Sequence, residues 1–232
     1  MTKDLAGDLS GALSWPDIPG SPDEPASTRA GYRDAAWYTG IPRRILDITV
    51  SLGLLLLTGP LMVLVGCLVA IDSRGPILYR QVRVGLNGRA FVLLKFRSMV
   101  ADAEAGTGPR WAQRQDPRIT RIGKFLRLTR IDELPQLLNV LRGSMSMVGP
   151  RPERPHFADR LAEVIPGYRQ RVTVKPGLTG WAQVNYPYGA SVEDAKMKLS
   201  YDLHYIKNRS LFLDIRILLA TVPVVLLGRG AR

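Results

Sequence analysis

The feature that most constrains this chain is an uncharged apolar run of 24 residues, Ile48 to Ile71. About 20 apolar residues suffice to cross the hydrocarbon core of a bilayer, so the run is long enough for a membrane helix. A buried core helix of a soluble protein is the alternative, but a helix that is apolar on all sides over this length is typical of membranes. The run therefore predicts a membrane-embedded helix.

Two features of the run bear on its topology. Gly59-Pro60 lies near its middle, where proline removes a backbone donor and kinks a helix. Basic residues flank it on both sides, and cytoplasmic flanks favour Lys and Arg. The flanking cations are Arg43 and Arg44 before the run, and Arg74, Arg80, Arg83 and Arg89 after it. The pattern favours a re-entrant hairpin over residues 41–73, hinged at Gly59 and Pro60; a helix that crosses the membrane is the alternative.

The rest of the chain divides into three segments. Residues 1–40 are rich in Pro, Gly, Ser and Asp without apolar periodicity, which predicts a disordered tail. Residues 74–210 are predicted to form a cytoplasmic domain. Residues 211–232 are apolar but contain Asp214 and Arg216, and their uncharged part is too short to cross a bilayer. An interfacial helix is expected there, with packing against the domain as the alternative.

Composition limits the chemistry. The net charge of +12 points to an anionic partner, and nucleic acid, anionic lipid and phosphorylated substrates all qualify. The single cysteine, Cys67, excludes an internal disulfide framework. The two histidines, His156 and His204, are far from it and from each other, which argues against a Cys/His zinc site. Any metal is expected to be a hard cation bound by oxygen.

Two local patterns in the domain predict an α+β fold. Residues 76–97 alternate or run apolar on both sides of Asn87-Gly88, which predicts a small β-hairpin. Residues 119–131 have an apolar stripe and a basic remainder, which predicts an amphipathic helix that lies on anionic lipid; a solvated surface helix is the alternative.

Adjacent acids follow that helix, in the segment Thr129-Arg-Ile-Asp132-Glu133. Thr129 and Asp132 resemble a capping box ahead of an apolar run. The second interpretation is chemical: nearby arginines keep the pKa of both carboxylates low, so one attacks phosphorus while the other binds a divalent cation. The two interpretations are compatible, since a cap can position a nucleophile.

Two later loops are candidates for phosphate and nucleotide binding. Arg151 stands between Pro150 and Pro152, where a rigid loop suits a bidentate grip on phosphate, although a loop arginine also commonly points into water. The turn over residues 177–180 either approaches a nucleotide or is simply a turn. The sequence has no GxxxxGK[ST] or GxGxxG motif and no Ser/His/Asp or Cys/His set.

Five motifs follow one another along the chain: RRILDI, GPILYRQxRVGxNG, KFRSM, DELPQLxNVLxGxMSxVGPRP and KPGLTGWAQVN. Together they closely resemble the bacterial sugar transferase family, and the resemblance extends from about Arg43 to Gly228. The tail YPYGASVEDAKMKLSYDLHYIKNRSLFLD is similar to an exopolysaccharide-type subgroup. The resemblance implies a monotopic phosphoglycosyl transferase with a re-entrant membrane helix. Such enzymes move a sugar-1-phosphate from a UDP-sugar to polyprenyl (undecaprenyl) phosphate and release UMP, which starts exopolysaccharide or glycoconjugate synthesis. Gly59 departs mildly from the Ser-Pro that the family often has at the break.

The resemblance also implies roles for individual residues. Asp132 matches the family nucleophile, which forms a covalent aspartyl-phosphosugar, and Glu133 matches the neighbouring acid. Mg²⁺, with Mn²⁺ as a substitute, is expected on Glu133 together with Asp132. Phosphate and substrate contacts are expected from Arg127, Arg151, Lys95, Arg97, Lys175, Pro176, Gly177, Thr179 and Gln183.

The expected setting is the cytoplasmic face of the bacterial inner membrane. The partners are a UDP-sugar, polyprenyl phosphate and anionic lipid, with no nucleic acid; a homodimer is compatible with the sequence, and the sugar is not revealed. One rival is a metal-dependent glycosyltransferase that releases UDP, for which Asp102-x-Glu104 is the candidate acidic pair. The other is a non-enzymatic basic module that binds lipid or nucleic acid.

Overall fold

The computed structural model describes residues 40–101, 103–104, 108, 116–187, 189 and 191–226. The predicted tail lies outside the described residues except for Gly40, as do Asp102 and the last six residues of the predicted C-terminal helix. Within the described residues, helices surround two small two-stranded sheets, so the predicted α+β class is confirmed.

The apolar run forms one long helix, α1 (Ile41–Asp72), with Pro60 inside it. By length and composition, this helix is long and apolar enough to cross a membrane. Its middle is poorly covered by protein: the side chains of Leu56 and Leu57 are 74% and 78% exposed. Its two ends, by contrast, pack against the rest of the molecule.

The start of α1 is held by a buried polar network. Arg43 Nη2 donates to the carbonyl of Val148 (2.6 Å) and to the hydroxyl of Tyr205 (2.9 Å). Asp47 Oδ1 accepts from the Met147 amide (2.7 Å) and from the Ser146 hydroxyl (2.8 Å). Buried charges are retained where they are paired and hydrogen-bonded, so this end of α1 is part of the folded body.

The predicted hairpin is confirmed. Strands β1 (Leu78–Val84) and β2 (Ala90–Phe96) pair antiparallel, with Val84 opposite Ala90. Asn87 and Gly88 have φ angles of 54° and 77°, a conformation that Asn and Gly adopt more readily than other residues.

The predicted amphipathic helix is α2 (Arg121–Thr129). It begins at Thr120, whose hydroxyl accepts from the Gly123 amide (3.0 Å). Its buried Leu126 packs with Val65 and Val69 of α1 and with Phe96 of β2. On its other side, Phe125 and Leu128 are exposed.

The remaining elements form the main core. They are α3 (Gln136–Arg142), β3 (Ser146–Val148), α4 (Pro155–Val164), β4 (Gly177–Thr179), α5 (Trp181–Asn185), α6 (Val192–Asn208) and α7 (Leu211–Leu226). β3 and β4 pair in parallel, with Ser146 opposite Gly177. The core they enclose includes Leu137, Met145 and Leu199, each fully buried.

Helix α7 has two different apolar faces. Ile217 is fully buried in the main core, and Asp214 accepts from the Tyr205 hydroxyl (2.8 Å). The opposite face exposes a row at helical spacing: Phe212, Ile215, Leu219 and Val222. The helix therefore packs against the body, as the alternative interpretation expected, and still leaves an apolar row uncovered.

Candidate active site

The acidic pair lies in one turn of 3₁₀ helix, Ile131–Glu133, between α2 and α3. Arg130 ends α2 in the left-handed conformation (φ 58°), which few non-glycine residues adopt. The predicted capping box is wrong: Thr129 is the last residue of α2, and its hydroxyl donates to carbonyls one turn earlier. A tight turn, not a capped helix start, presents Asp132 and Glu133.

Glu133 is clamped between two cations. Lys95 Nζ of β2 donates to Glu133 Oε1 (3.0 Å), and Arg151 donates from Nη1 to Oε2 (3.2 Å) and from Nη2 to Oε1. Burial alone would raise the pKa of Glu133, but Arg151 and Lys95 outweigh burial and hold that pKa well below its usual range. Glu133 is therefore an ionised carboxylate. The guanidinium of Arg151, which was expected to bind phosphate, forms an ion pair with Glu133 instead.

Asp132 is in a different electrostatic state. Its side chain is 7% exposed, and burial raises the pKa of Asp132 from 3.8 to about 6. The positive charges of Lys95, Arg127 and Arg151 oppose this shift without cancelling it, and the negative charge of Glu133 adds to it. The expected low pKa of Asp132 is wrong, because its desolvation outweighs the attraction of the cations.

The turn opens onto a cavity of about 1210 Å³. This exceeds the roughly 300–1,000 Å³ typical of pockets for drug-sized ligands. The walls come from β1, β2, α2, the loop after β3 and α6. The predicted site residues that line it are Lys95, Arg97, Arg127, Asp132, Glu133, Arg151 and Gln183.

Arg97 lines this cavity, and one end of its guanidinium, Nη2, binds the end of α1. Its side chain is buried, and Nη2 donates to the carbonyls of Val69 (3.3 Å) and Ser73 (2.5 Å). The last carbonyls of a helix have no partner within the helix, so this guanidinium caps α1.

The predicted segment 175–183 contributes less to the cavity than expected. Of its predicted site residues, all of them described, Gln183 lines the cavity, whereas Lys175, Pro176, Gly177 and Thr179 do not. A Cβ at Gly177 would lie 2.1 Å from the Gly149 amide, so this glycine permits the close approach of two backbones. The glycine serves the pairing of β3 and β4.

The carboxylates offer few ligands for a metal by themselves. Among the described residues, no group of three or more His, Cys, Asp or Glu side chains is placed to hold an ion. Mg²⁺ in phosphoryl-transfer sites is commonly held by one or two carboxylates together with substrate phosphates. Asp132 and Glu133 are two such carboxylates, but Glu133 Oε1 already accepts from Lys95 and Arg151 and Oε2 from Arg151. A cation held by this pair would share those oxygens with Lys95 and Arg151 and would need further oxygens from a substrate.

Sequence reasoning did not assign several cations that line the same cavity. They are Arg80, Arg83, Arg130, Arg154, Arg171 and Lys198. Arg130 is two residues before Asp132 in the chain, so its proximity was readable from the sequence. Arg171 and Lys198 come from distant segments, and only the tertiary fold brings them to this wall.

The model of the bacterial sugar transferase family matches residues 38–228 of the chain. The chain belongs to this family. The UDP-N-acetylgalactosamine-undecaprenyl-phosphate N-acetylgalactosaminephosphotransferase of Aeromonas hydrophila is 45% identical over 190 residues, which cover 82% of this chain and 45% of the relative.

 The undecaprenyl-phosphate glucose phosphotransferase of Komagataeibacter xylinus is 44% identical over 196 residues, which cover 82% of this chain and 37% of the relative. The exopolysaccharide production protein PSS of Rhizobium leguminosarum bv. phaseoli is 43% identical over 188 residues, which cover 78% of this chain and 92% of the relative.

The matched relatives differ in length. The chain spans less than half of the first two, and nearly all of the third. The family match over residues 38–228 of this chain includes the turn with Asp132 and Glu133 and the loop with Arg151.

Proposed function

We propose that the protein is a phosphoglycosyl transferase, which moves a sugar-1-phosphate from a UDP-sugar to undecaprenyl phosphate and releases UMP. The observation that carries the proposal is the buried Asp132 beside a Glu133 that Lys95 and Arg151 neutralise, on the wall of a cation-lined cavity. The names of two relatives, which are phosphotransferases with undecaprenyl phosphate as a substrate, support the choice of reaction. The proposed role is the first step of exopolysaccharide or glycoconjugate synthesis.

The proposed reaction has two steps. An ionised oxygen of Asp132 attacks the β-phosphorus of the UDP-sugar, and the bond from that phosphorus to the bridging oxygen breaks, so that UMP leaves. An oxygen of the acceptor phosphate then attacks the same phosphorus, the bond to Asp132 breaks, and undecaprenyl diphosphate-sugar is formed. The first step converts the Asp132 carboxylate into an acyl phosphate, the second step restores it, and no oxidant or reductant is needed.

The cations of the cavity make such an attack feasible. Both reactants are anionic, so their approach requires positive charge where the phosphate oxygens will lie. Lys95 and Arg151 are fixed on Glu133 beside the nucleophile, and Arg127 of α2 lines the same cavity. The burial of Asp132 favours attack as well, because few waters must leave this carboxylate before it reacts.

We extend the proposal to a divalent cation held by Glu133 and Asp132. Mg²⁺ or Mn²⁺ held there would supply further positive charge to the phosphate oxygens of the substrate. EDTA is expected to abolish UMP release, and excess Mg²⁺ is expected to restore it. Full activity in the chelator would contradict this part of the proposal and leave the role of Asp132 standing.

For the membrane, we propose that α1 is re-entrant and that the active site faces the cytoplasm. The first turns of α1 bind β3 through Arg43 and Asp47, and its last turns pack against α2 and β2 through Val65 and Val69. One folded body touches both ends of the helix, and a bilayer cannot pass through that body. This contact pattern supports entry and exit on the same side, with the exposed middle around Pro60 in lipid.

The proposed lipid partners also fit the surface of the body. Helix α2 exposes Phe125 and Leu128, while Arg127 of the same helix lines the cavity. An acceptor whose tail lies in the membrane would need such an arrangement, since its phosphate has to reach Asp132 from the lipid surface. Exposed basic residues on α2, Arg121 and Lys124, favour anionic lipid at this surface.

The test is a panel of UDP-sugars, each incubated with the purified protein, undecaprenyl phosphate and Mg²⁺, with the released nucleotide identified by chromatography. At least one UDP-sugar is expected to give UMP in the same amount as the lipid-linked product. Asp132→Asn is expected to give none, whereas the control Asp159→Asn, which changes an exposed carboxylate on α4, is expected to behave as wild type.

Two other outcomes would overturn the proposal. Release of UDP would indicate a glycosyltransferase that leaves both phosphates on the nucleotide. No turnover of any UDP-sugar, together with binding to nucleic acid that falls steeply with salt, would indicate a non-enzymatic basic module.

A further inference from the structure

The loop that carries Arg151 is held at three consecutive carbonyl groups, those of residues 150–152. The Gly177 amide donates to the first (2.9 Å), Arg171 Nη2 donates to the second (3.0 Å), and Arg83 Nη1 donates to the third (3.0 Å). Prolines at both ends of this tripeptide restrict its φ angles further. The backbone of Arg151 is therefore fixed by groups from three separate segments.

Arg171 is itself held on several sides. Its Nε and Nη2 donate to Asp202 Oδ2 of α6 (3.1 and 2.8 Å), and its Nη1 donates to the Tyr168 hydroxyl (2.6 Å). The guanidinium also lies 5.0 Å from the centre of the Tyr168 ring. The side chains of Arg171 and Asp202 are 11% and 3% exposed, so this is a buried ion pair.

A buried ion pair of this kind usually adds little to the free energy of folding. The cost of desolvating both charges often exceeds their attraction, so an apolar pair of similar volume frequently does as well. What an apolar pair cannot do is donate a hydrogen bond to the carbonyl of Arg151. That bond joins Asp202 and Arg171 to Arg151, whose guanidinium joins Glu133 in the turn of Asp132.

We propose that Arg171 and Asp202 form a positioning unit, which fixes the backbone of Arg151 so that its guanidinium stays on Glu133 beside Asp132. Arg171 acts through Arg151 rather than as a substrate ligand, because its Nε, its Nη2 and one N–H of its Nη1 already donate within the protein. The kinetic test of this inference rests on the proposed function, because it measures UMP release. The structural test rests on geometry alone, because it measures the position of the Arg151 guanidinium.

The kinetic expectation follows from what a displaced Arg151 would lose. Lysine at position 171 keeps the positive charge, but one ammonium cannot replace a fork that reaches Asp202, Tyr168 and the Arg151 carbonyl together. A misplacement of about 1 Å near the chemistry can cost on the order of 100-fold in rate. Arg171→Lys is expected to lower kcat for UMP release by about tenfold or more, with KM for the UDP-sugar changed by less than about threefold.

The decisive measurement is a double-mutant cycle that compares wild type, Arg171→Lys, Arg151→Lys and the double variant. If Arg171 acts through Arg151, its substitution is expected to cost less than about twofold once Arg151 is already lysine. Asp202→Asn is expected to show the same loss of effect in the Arg151→Lys background. Arg169→Lys is the matched control, because Arg169 lies in the same turn but forms an exposed ion pair with Asp159 (3.8 Å).

Equal rate losses in both backgrounds would overturn the proposal, since Arg171 would then act independently of Arg151. A rise in KM with kcat unchanged would overturn it too, because Arg171 would then be a substrate ligand. If wild type gives no UMP with any UDP-sugar, the proposed function fails, and a crystal structure of Arg171→Lys decides the positioning role. The guanidinium of Arg151 is expected to leave Glu133 in that variant, and its retention there would refute the proposal.

Discussion

Asp132 and Glu133 are neighbours in one turn, yet their environments shift their pKa values in opposite directions. Burial raises the pKa of Asp132 to about 6, while Arg151 and Lys95 overcome burial and hold the pKa of Glu133 well below its usual range. Adjacent titratable groups separated in this way commonly have different tasks in a reaction. Glu133 is suited to organise cations, and Asp132 is suited to react.

Asp132→Asn tests the covalent step directly. The amide keeps the size of the side chain but has no ionised oxygen, so attack on phosphorus is expected to fail. Wild type incubated with UDP-sugar and Mg²⁺, without undecaprenyl phosphate, is expected to gain the mass of one sugar-phosphate and to release an equal amount of UMP. Intact-protein mass spectrometry measures the adduct, which should be absent from the variant. Normal turnover by Asp132→Asn, or an adduct on another residue, would refute the assignment.

The same substitution is expected to stabilise the fold at neutral pH. The pKa of Asp132 rises from 3.8 to about 6 on folding, so ionisation costs more in the folded chain than in the unfolded one. The resulting loss of folding free energy reaches its full value, at most about 3 kcal/mol, above pH 6. It disappears below pH 4. Asp132→Asn should therefore raise the melting temperature at pH 8 in EDTA, with a gain that shrinks as the pH falls from 6 to 4. A variant that melts below wild type at pH 8 would contradict the expectation.

Glu133→Gln is expected to have the opposite effect on stability. Glutamine keeps the shape of the side chain but removes the carboxylate that forms ion pairs with Lys95 and Arg151. Breaking a fully buried pair costs roughly 3 to 5 kcal/mol, and the cost should be lower here because the Arg151 side chain is 40% exposed. Urea denaturation measures it. Adding Lys95→Met should recover part of the loss, whereas a further drop would show that the pairing is not its cause.

At the scale of single elements, the sequence predicted what neighbouring residues decide. The hairpin was readable because Asn87 and Gly88 supply the left-handed turn that joins its strands. Helix α2 was readable because Ile122 and Leu126 share one face. The capping box was misread because Arg130 takes the left-handed conformation and ends the helix first, and nothing local marks an arginine for that conformation.

The sequence was enough to select residues that the fold brings together, but it did not predict the electrostatics around them. The motif resemblance selected Asp132, Glu133 and Arg151, and the fold brings all three to one cavity. The pKa of Asp132 could not be predicted, because its dominant cause is burial in the folded chain. The proposed positioning role of Arg171 could not be predicted from the sequence either, since its hydrogen bond to Arg151 joins residues from separate segments.

Helix α1 provides a test of topology at the element scale. Cysteines introduced at Gly40 and at Arg74, each exposed and just outside the helix, are expected to react only with reagents added from the cytoplasm. The Cys67→Ala background removes the native thiol. Replacing Pro60 by Leu removes the residue that favours a kink, so part of the molecules should then label at one site from the periplasm. Periplasmic labelling of either cysteine with Pro60 present would indicate a helix that crosses the membrane.

Over the whole molecule, exposed apolar surface is combined with a net positive charge. The middle of α1, the outer face of α2 and the outer row of α7 all expose large apolar side chains. The net charge is +12. A protein with such a surface should bind an anionic bilayer through insertion of apolar side chains and attraction of basic ones, and only the second contribution weakens with salt.

Vesicle binding separates these two contributions. The double variant Phe125→Ser/Leu128→Ser removes two exposed apolar side chains of α2 without touching its buried Leu126. It is expected to lower the partition of detergent-free protein into vesicles of anionic and zwitterionic lipid alike. Arg121→Gln/Lys124→Gln should instead weaken binding to anionic vesicles alone, and this loss should vanish near 1 M salt, where screening acts over about 3 Å. Val164→Ser, at an exposed apolar position on α4, is the matched control and should bind as wild type. If the α2 variants also bind as wild type, this face of α2 does not contact the membrane, and the acceptor lipid must approach Asp132 by another side of the cavity.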